Sequence, residues 1–146
     1  MPDADRPLDR GLGRGPGRIL VAVYAVLALA ATGRSIMQIA LYFSRAPLAY
    51  TLSALAALIY IVATVALARG TRTSARVAWA SISIELVGVL VVGALSYVLP
   101  ELFPDKTVWS HFGAGYGYVP LVLPVLGLWW LHRTAAGEGA RVDGPA

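Results

Sequence analysis

The chain has 146 residues, 58% of them hydrophobic and only 14% charged, with a mean hydropathy of +0.67. A soluble domain is roughly half apolar and a quarter charged, so this balance points to lipid as the solvent and leaves room for one compact unit. Cysteine is absent, which excludes disulfides, thiolate metal sites and cysteine nucleophiles; the net charge of +4 comes from arginines flanking apolar runs, a pattern of membrane topology rather than of nucleic-acid binding.

In chain order, residues 1–18 are rich in Pro, Gly, Asp and Arg without apolar periodicity and read as a disordered cytoplasmic tail. A hydrocarbon core of about 30 Å needs about 20 apolar residues in a helix, and four such stretches follow. The predicted spans are 19–43, 47–68, 77–99 and 113–131, and residues 134–146 form a second polar tail. Pro47 suits the first position of its helix, where an N–H is not needed. The predicted fold is an all-α, polytopic four-transmembrane-helix bundle occupying residues 19–133. Pro120 and Pro124 fall inside the last span and predict a kink there.

Arginine placement predicts orientation. With the N-terminus inside, the cytoplasmic segments carry Arg6, Arg10, Arg14, Arg18, Arg69, Arg72, Arg76, Arg133 and Arg141, and the outer segments only Arg45 and Lys106. Positive residues accumulate on the cytoplasmic side, so both termini are expected in the cytoplasm. Trp109, Phe112, Tyr116 and Tyr118 are expected at the outer interface, with Trp79, Trp129 and Trp130 at the inner one. A rival reading makes the first span a signal peptide cleaved near Ala28-Leu29-Ala30. Against it stand Asp3, Asp5 and Asp9 upstream and the resumption of the apolar run beyond the cut.

Bundle-facing sides of membrane helices are marked by small and weakly polar residues. Ala31, Arg34, Ser35 and Gln38 share a face of the first span, Ser53, Ala57, Tyr60 and Thr64 of the second, and Ser81, Glu85, Gly88 and Val92 of the third. These stripes are expected to pack on one another. Arg34 and Glu85 stand out, because an ionisable side chain near the bilayer centre costs at least about 2.5–3.5 kcal/mol and normally finds a partner. The predicted spans offset the two by roughly 9 Å along the axis. Direct pairing, or pairing through Gln38, Ser81 or a water, closes that gap. The candidate intramembrane polar site is therefore Arg34, Glu85, Gln38 and Ser81. It acts either as a register-fixing ion pair or as a site with Glu85 accepting a proton or cation. Alternatively, Arg34 snorkels outward and leaves Glu85 without it.

Other motifs fail on chemistry. Gly113-Ala114-Gly115-Tyr116-Gly117 ends like a potassium filter but lacks Thr-Val ahead of Gly-Tyr-Gly. It is not a nucleotide loop either, since it is no GxGxxG and follows no strand. His111 beside Ser110 and Asp105 is one imidazole among scattered carboxylates, and with His132 at the opposite face no pair of histidines can hold a haem. No cofactor, metal or catalytic residue is expected.

Four stretches carry a family resemblance: residues 31–35 (Ala-Thr-Gly-Arg-Ser), 46–50 (Ala-Pro-Leu-Ala-Tyr), 85–93 (Glu-Leu-Val-Gly-Val-Leu-Val-Val-Gly) and 103–110 (Phe-Pro-Asp-Lys-Thr-Val-Trp-Ser). Over residues 19–133 the chain resembles small four-span membrane proteins of high-GC Gram-positive bacteria that carry no assigned activity. The resemblance implies a plasma-membrane location and brings no catalytic residues. Small multidrug transporters also have four short spans and one membrane glutamate, but theirs lies in the first span and Glu85 in the third. The functional expectation is a non-enzymatic accessory or interaction subunit, with lipid and either a membrane-protein partner or a second copy as its partners. The alternative is a small oligomeric transporter or channel using Arg34 and Glu85.

Overall fold

The computed structural model describes residues 15–142. The expectations for residues 1–14 and 143–146 lie outside that range. Four α-helices carry the fold: α1 (Pro16–Tyr42), α2 (Pro47–Arg69), α3 (Arg72–Val98) and α4 (Val119–Val142), with 3-10 turns in the first and last connections and no strand among the described residues. Helix α1 begins three residues before the predicted span, and α2 ends one residue beyond its own. Three helices are long and apolar enough to cross a membrane. A fourth crossing requires the bent pair Ser110–Tyr116 and Val119–Ala135, which meet at 97°, to act as one.

Local chemistry explains the boundaries. Pro47 opens α2 at the first helical position, where its missing N–H leaves nothing unsatisfied. The polar turn predicted over residues 69–74 is tighter than expected, because Gly70 takes a left-handed conformation and Thr71 immediately caps α3. The Thr71 hydroxyl accepts the Ser74 N–H at 3.1 Å while the Ser74 hydroxyl accepts the Thr71 N–H at 2.9 Å. This reciprocal capping box places the start of α3 at Arg72, five residues before the expected span.

Neighbours in sequence are neighbours in space: α1 packs on α2, α2 on α3 and α3 on α4, while α1 and α4 touch sparsely. The polar stripes read from the sequence face inward. Ala31, Ser35, Ser53, Ala57, Tyr60, Ser81, Glu85 and Val92 are all buried, whereas Ile36, Leu58, Val87 and Val91 lie exposed around the outside. That inversion suits a bundle whose outer solvent is hydrocarbon.

The region after α3 departs most from expectation. Residues 113–118, predicted as the start of the fourth span, belong instead to a 3-10 segment (Ser110–Tyr116) and the turn after it, and α4 begins only at Val119. Its helical backbone then continues to Val142 through residues expected to be tail. The purely apolar part of α4, residues 119–131, measures only about 20 Å at 1.5 Å per residue. Pro120 sits in the first turn of α4, where a proline is tolerated, so only Pro124 interrupts the ladder.

Candidate functional site

The segment between α3 and α4 folds back into the bundle. Its backbone is tied to helices on two sides: the Val108 N–H donates to the Ser53 hydroxyl of α2 at 3.3 Å, and the His111 N–H to the Ser96 hydroxyl of α3 at 2.8 Å. Within the segment the Ser110 hydroxyl accepts the Thr107 N–H at 2.8 Å. The chain then turns through His111, Phe112 and Gly113, all with positive φ (53°, 61° and 83°). Left-handed geometry costs a non-glycine residue about 1–2 kcal/mol, and ring packing holds it here. His111 meets Tyr97 edge-on at 4.6 Å, and Phe112 stacks on Tyr97 at 5.9 Å. Gly113 lies so close to the Pro120 ring that an added Cβ would sit 2.8 Å from it.

Trp109 is the deepest part of this segment. It was expected in the outer aromatic belt, but only 2% of it is exposed. The indole lies against Gly88 of α3, ten residues or about 15 Å from the C-terminal end of that helix. A Cβ on residue 88 would meet the ring at 2.7 Å, so the glycine is what lets the indole in. The indole N–H donates to the Tyr60 hydroxyl of α2 at 2.9 Å. The physical reason is satisfaction: a buried indole N–H needs an acceptor, and Tyr60 provides one inside the bundle.

Below Trp109 the polar groups continue. The Tyr60 ring lies 6.3 Å from that of Tyr24 on α1, and the Tyr24 hydroxyl donates to Glu85 Oε2 on α3 at 2.7 Å. Tyr24, Tyr60 and Glu85 are each 0% exposed. Helix α4 closes the site with Gly127, whose added Cβ would stand 3.5 Å from the Tyr24 hydroxyl and 3.2 Å from Ile82. All four helices and the returning segment therefore converge on one sealed polar centre. The other carboxylate oxygen, Oε1, is buried without a hydrogen-bond partner.

The predicted set of Arg34, Glu85, Gln38 and Ser81 is not brought together. Arg34 lies ten residues along α1 from Tyr24, about 15 Å toward the C-terminal end of that helix. There its guanidinium donates to the Lys106 carbonyl at 2.9 Å and makes a long contact of 3.5 Å to the Tyr116 hydroxyl. It clasps the rim of the returning segment. The Ser81 hydroxyl donates to the Val77 carbonyl of its own helix at 2.9 Å, and the Gln38 amide oxygen is buried without a partner. Tyr24 takes the place beside Glu85 that the sequence reading assigned to Arg34. Tyr24 carries a usable signal in the sequence: it is the one hydroxyl-bearing residue between Ile19 and Ala31 and lies seven residues, two turns, from Ala31 on the buried face.

At the rim, the Tyr50 hydroxyl donates to Asp105 Oδ2 at 2.8 Å and the Lys106 N–H to Oδ1 at 2.8 Å. The Tyr50 hydrogen bond, aided by the Lys106 amide and the nearby Arg34 and Arg45, holds the Asp105 carboxyl below the usual carboxylate range.

No protein-family model, curated protein or solved structure matches this chain. The chemistry of the site is therefore carried by its own geometry. A carboxyl group bound by a tyrosine hydroxyl and enclosed by four helices can fix the register of those helices. With its second oxygen unpartnered, it can also accept a proton or a small cation should the returning segment withdraw.

Proposed function

We propose that the chain is a multi-pass protein of the plasma membrane, with four spans and both termini cytoplasmic, that acts as a non-enzymatic accessory or interaction subunit. The assignment of the fourth span rests on counting the bent pair after α3 as one crossing. The orientation rests on the arginines gathered at the ends of α2, α3 and α4 and in the N-terminal segment. In this reading the chain belongs with the small four-span proteins of high-GC Gram-positive bacteria that it resembles.

One observation carries the functional reading. The polar side chains at the centre are turned on one another and fully enclosed, while the α1–α2 face presents a groove to lipid. That groove, of about 450 Å³, is lined by small and apolar residues including Thr32, Ser35, Ala54 and Ala57. Buried polarity of the first kind specifies a fold, and a small-residue groove of the second kind receives another helix. Affinity purification in mild detergent should recover one membrane protein in stoichiometric amount, and Ala54→Phe, which fills the groove, should release it. Recovery of the chain alone and monomeric would sink the reading. Topology is tested in the same cysteine-free background. Lys106→Cys should react with an impermeant maleimide on intact cells, and Thr73→Cys only after permeabilisation.

A second reading, a small oligomeric transporter or channel, is favoured by the unpartnered Oε1 of Glu85 at the bundle centre. It would use Glu85 with Tyr24, since Arg34 is engaged at the rim. Proton- or cation-coupled flux in vesicles that Glu85→Gln abolishes without loss of folding would establish it.

A further inference from the structure

At the end of the bundle opposite the returning segment, α2 and α3 part to leave a cleft of about 330 Å³, within the size range of small-ligand sites. Its long walls are apolar. Ile61 and Val65 on α2 and Val77 on α3 line it and are 41%, 49% and 42% exposed, so the cleft opens sideways toward lipid. Its mouth is polar: Arg69 closes α2 there, and Thr71 and Thr73 stand across from it. From Ile61 to Arg69 the cleft runs eight residues along α2, about 12 Å parallel to the helix axis. Apolar walls parallel to the helices with a cation at the interface end match one kind of occupant, an amphiphile with an acyl chain and an anionic head.

We infer that this cleft holds an anionic phospholipid, its phosphate at the Arg69 guanidinium and the upper part of one chain along Ile61, Val65 and Val77. The inference rests on the reading that the chain spans a bilayer. Charge sets the preference: Arg69 lines the mouth of the cleft, and Arg76 follows it seven residues on in the sequence. A guanidinium pairs with phosphate through parallel N–H donors, and basic clefts between membrane helices recognise anionic head groups.

The test is native mass spectrometry of the full chain extracted from liposomes of phosphatidylglycerol and phosphatidylcholine in equal amounts. One phosphatidylglycerol per chain should be retained in preference to phosphatidylcholine. Arg69→Gln should weaken that retention roughly fivefold, as expected for one basic residue at the surface. Val65→Trp, which obstructs the apolar wall and leaves the charges in place, should weaken it as well. Arg45→Gln, at the opposite end of the bundle, should leave it unchanged. Equal retention of the two lipids would overturn the inference, and so would a preference that survives Arg69→Gln or that falls equally with Arg45→Gln. Failure of the membrane reading is read separately, as release of the chain from membranes by alkaline extraction.

Discussion

At the scale of single residues, the Tyr24–Glu85 hydrogen bond is the contact on which most depends. Glu85 is wholly buried, and Tyr24 is its hydrogen-bond partner among the described residues. Tyr24→Phe keeps the ring and removes only the donor. It should lower stability by about 1–2 kcal/mol, more than a typical interhelical hydrogen bond in lipid, because it strands a buried carboxyl group. Unfolding in mixed detergent against SDS measures it, and an unchanged midpoint would show that Glu85 finds another partner. Asp105 gives a prediction in pH. Its folded value is depressed, so its contribution to stability is complete above the ordinary aspartate value of about 3.9 and is lost as pH falls through the lower folded value. Tyr50→Phe removes the largest cause of the depression. The acid-induced loosening of the rim should therefore begin at higher pH in that variant, a shift that tryptophan fluorescence can follow. Arg34→Gln should free the same rim. Its partner, the Lys106 carbonyl, can turn to water, so the cost is below about 1 kcal/mol, but amide exchange across residues 103–117 should quicken.

Among the elements, the returning segment and α3 form the closest fit. Gly88 admits the Trp109 indole and Gly93 admits the Phe112 ring, which a Cβ at 93 would overlap. Gly88→Ala places a methyl against a buried ring that is also hydrogen-bonded to Tyr60, so the strain cannot be shed by a flexible side-chain end. A cost of about 1–3 kcal/mol follows from overpacking. Trp109 should then move outward, with a red-shifted emission in a variant that keeps Trp109 and replaces Trp79, Trp129 and Trp130 by Phe. An unshifted spectrum would mean that α3 itself yields instead. Helix α1 has a comparable role at its N-terminal half. Cleavage after Ala30 would remove Leu20, Tyr24 and Leu27 from the core and leave Glu85 without its tyrosine. Intact mass of the membrane-extracted protein distinguishes the two states.

For the molecule as a whole, the readable part and the hidden part divide along a physical line. The helical class, the three long apolar helices and the inward stripes follow from composition and periodicity, because burial in lipid or protein imposes a repeat of 3.6 residues on the chain locally. Helix starts were legible to within a few residues and missed where a short cap, Thr71 with Ser74, outweighed hydropathy. The segment after α3 was misread for a different reason. Trp109, Phe112 and Tyr116 have the composition of an interfacial belt, and nothing local distinguishes a tryptophan at an interface from one inserted against a glycine of another helix. Likewise Arg34 and Glu85 invite pairing by charge, yet helix rise separates them and a distant hydroxyl reaches the carboxyl group first. The helices and the faces they turn inward thus follow from local pattern. The partner of Glu85, the inward course of residues 103–117 and the lateral cleft by Arg69 were settled only when separate helices were brought within a few ångströms, since hydrogen bonds and close packing act over that distance and leave no periodic trace along the chain.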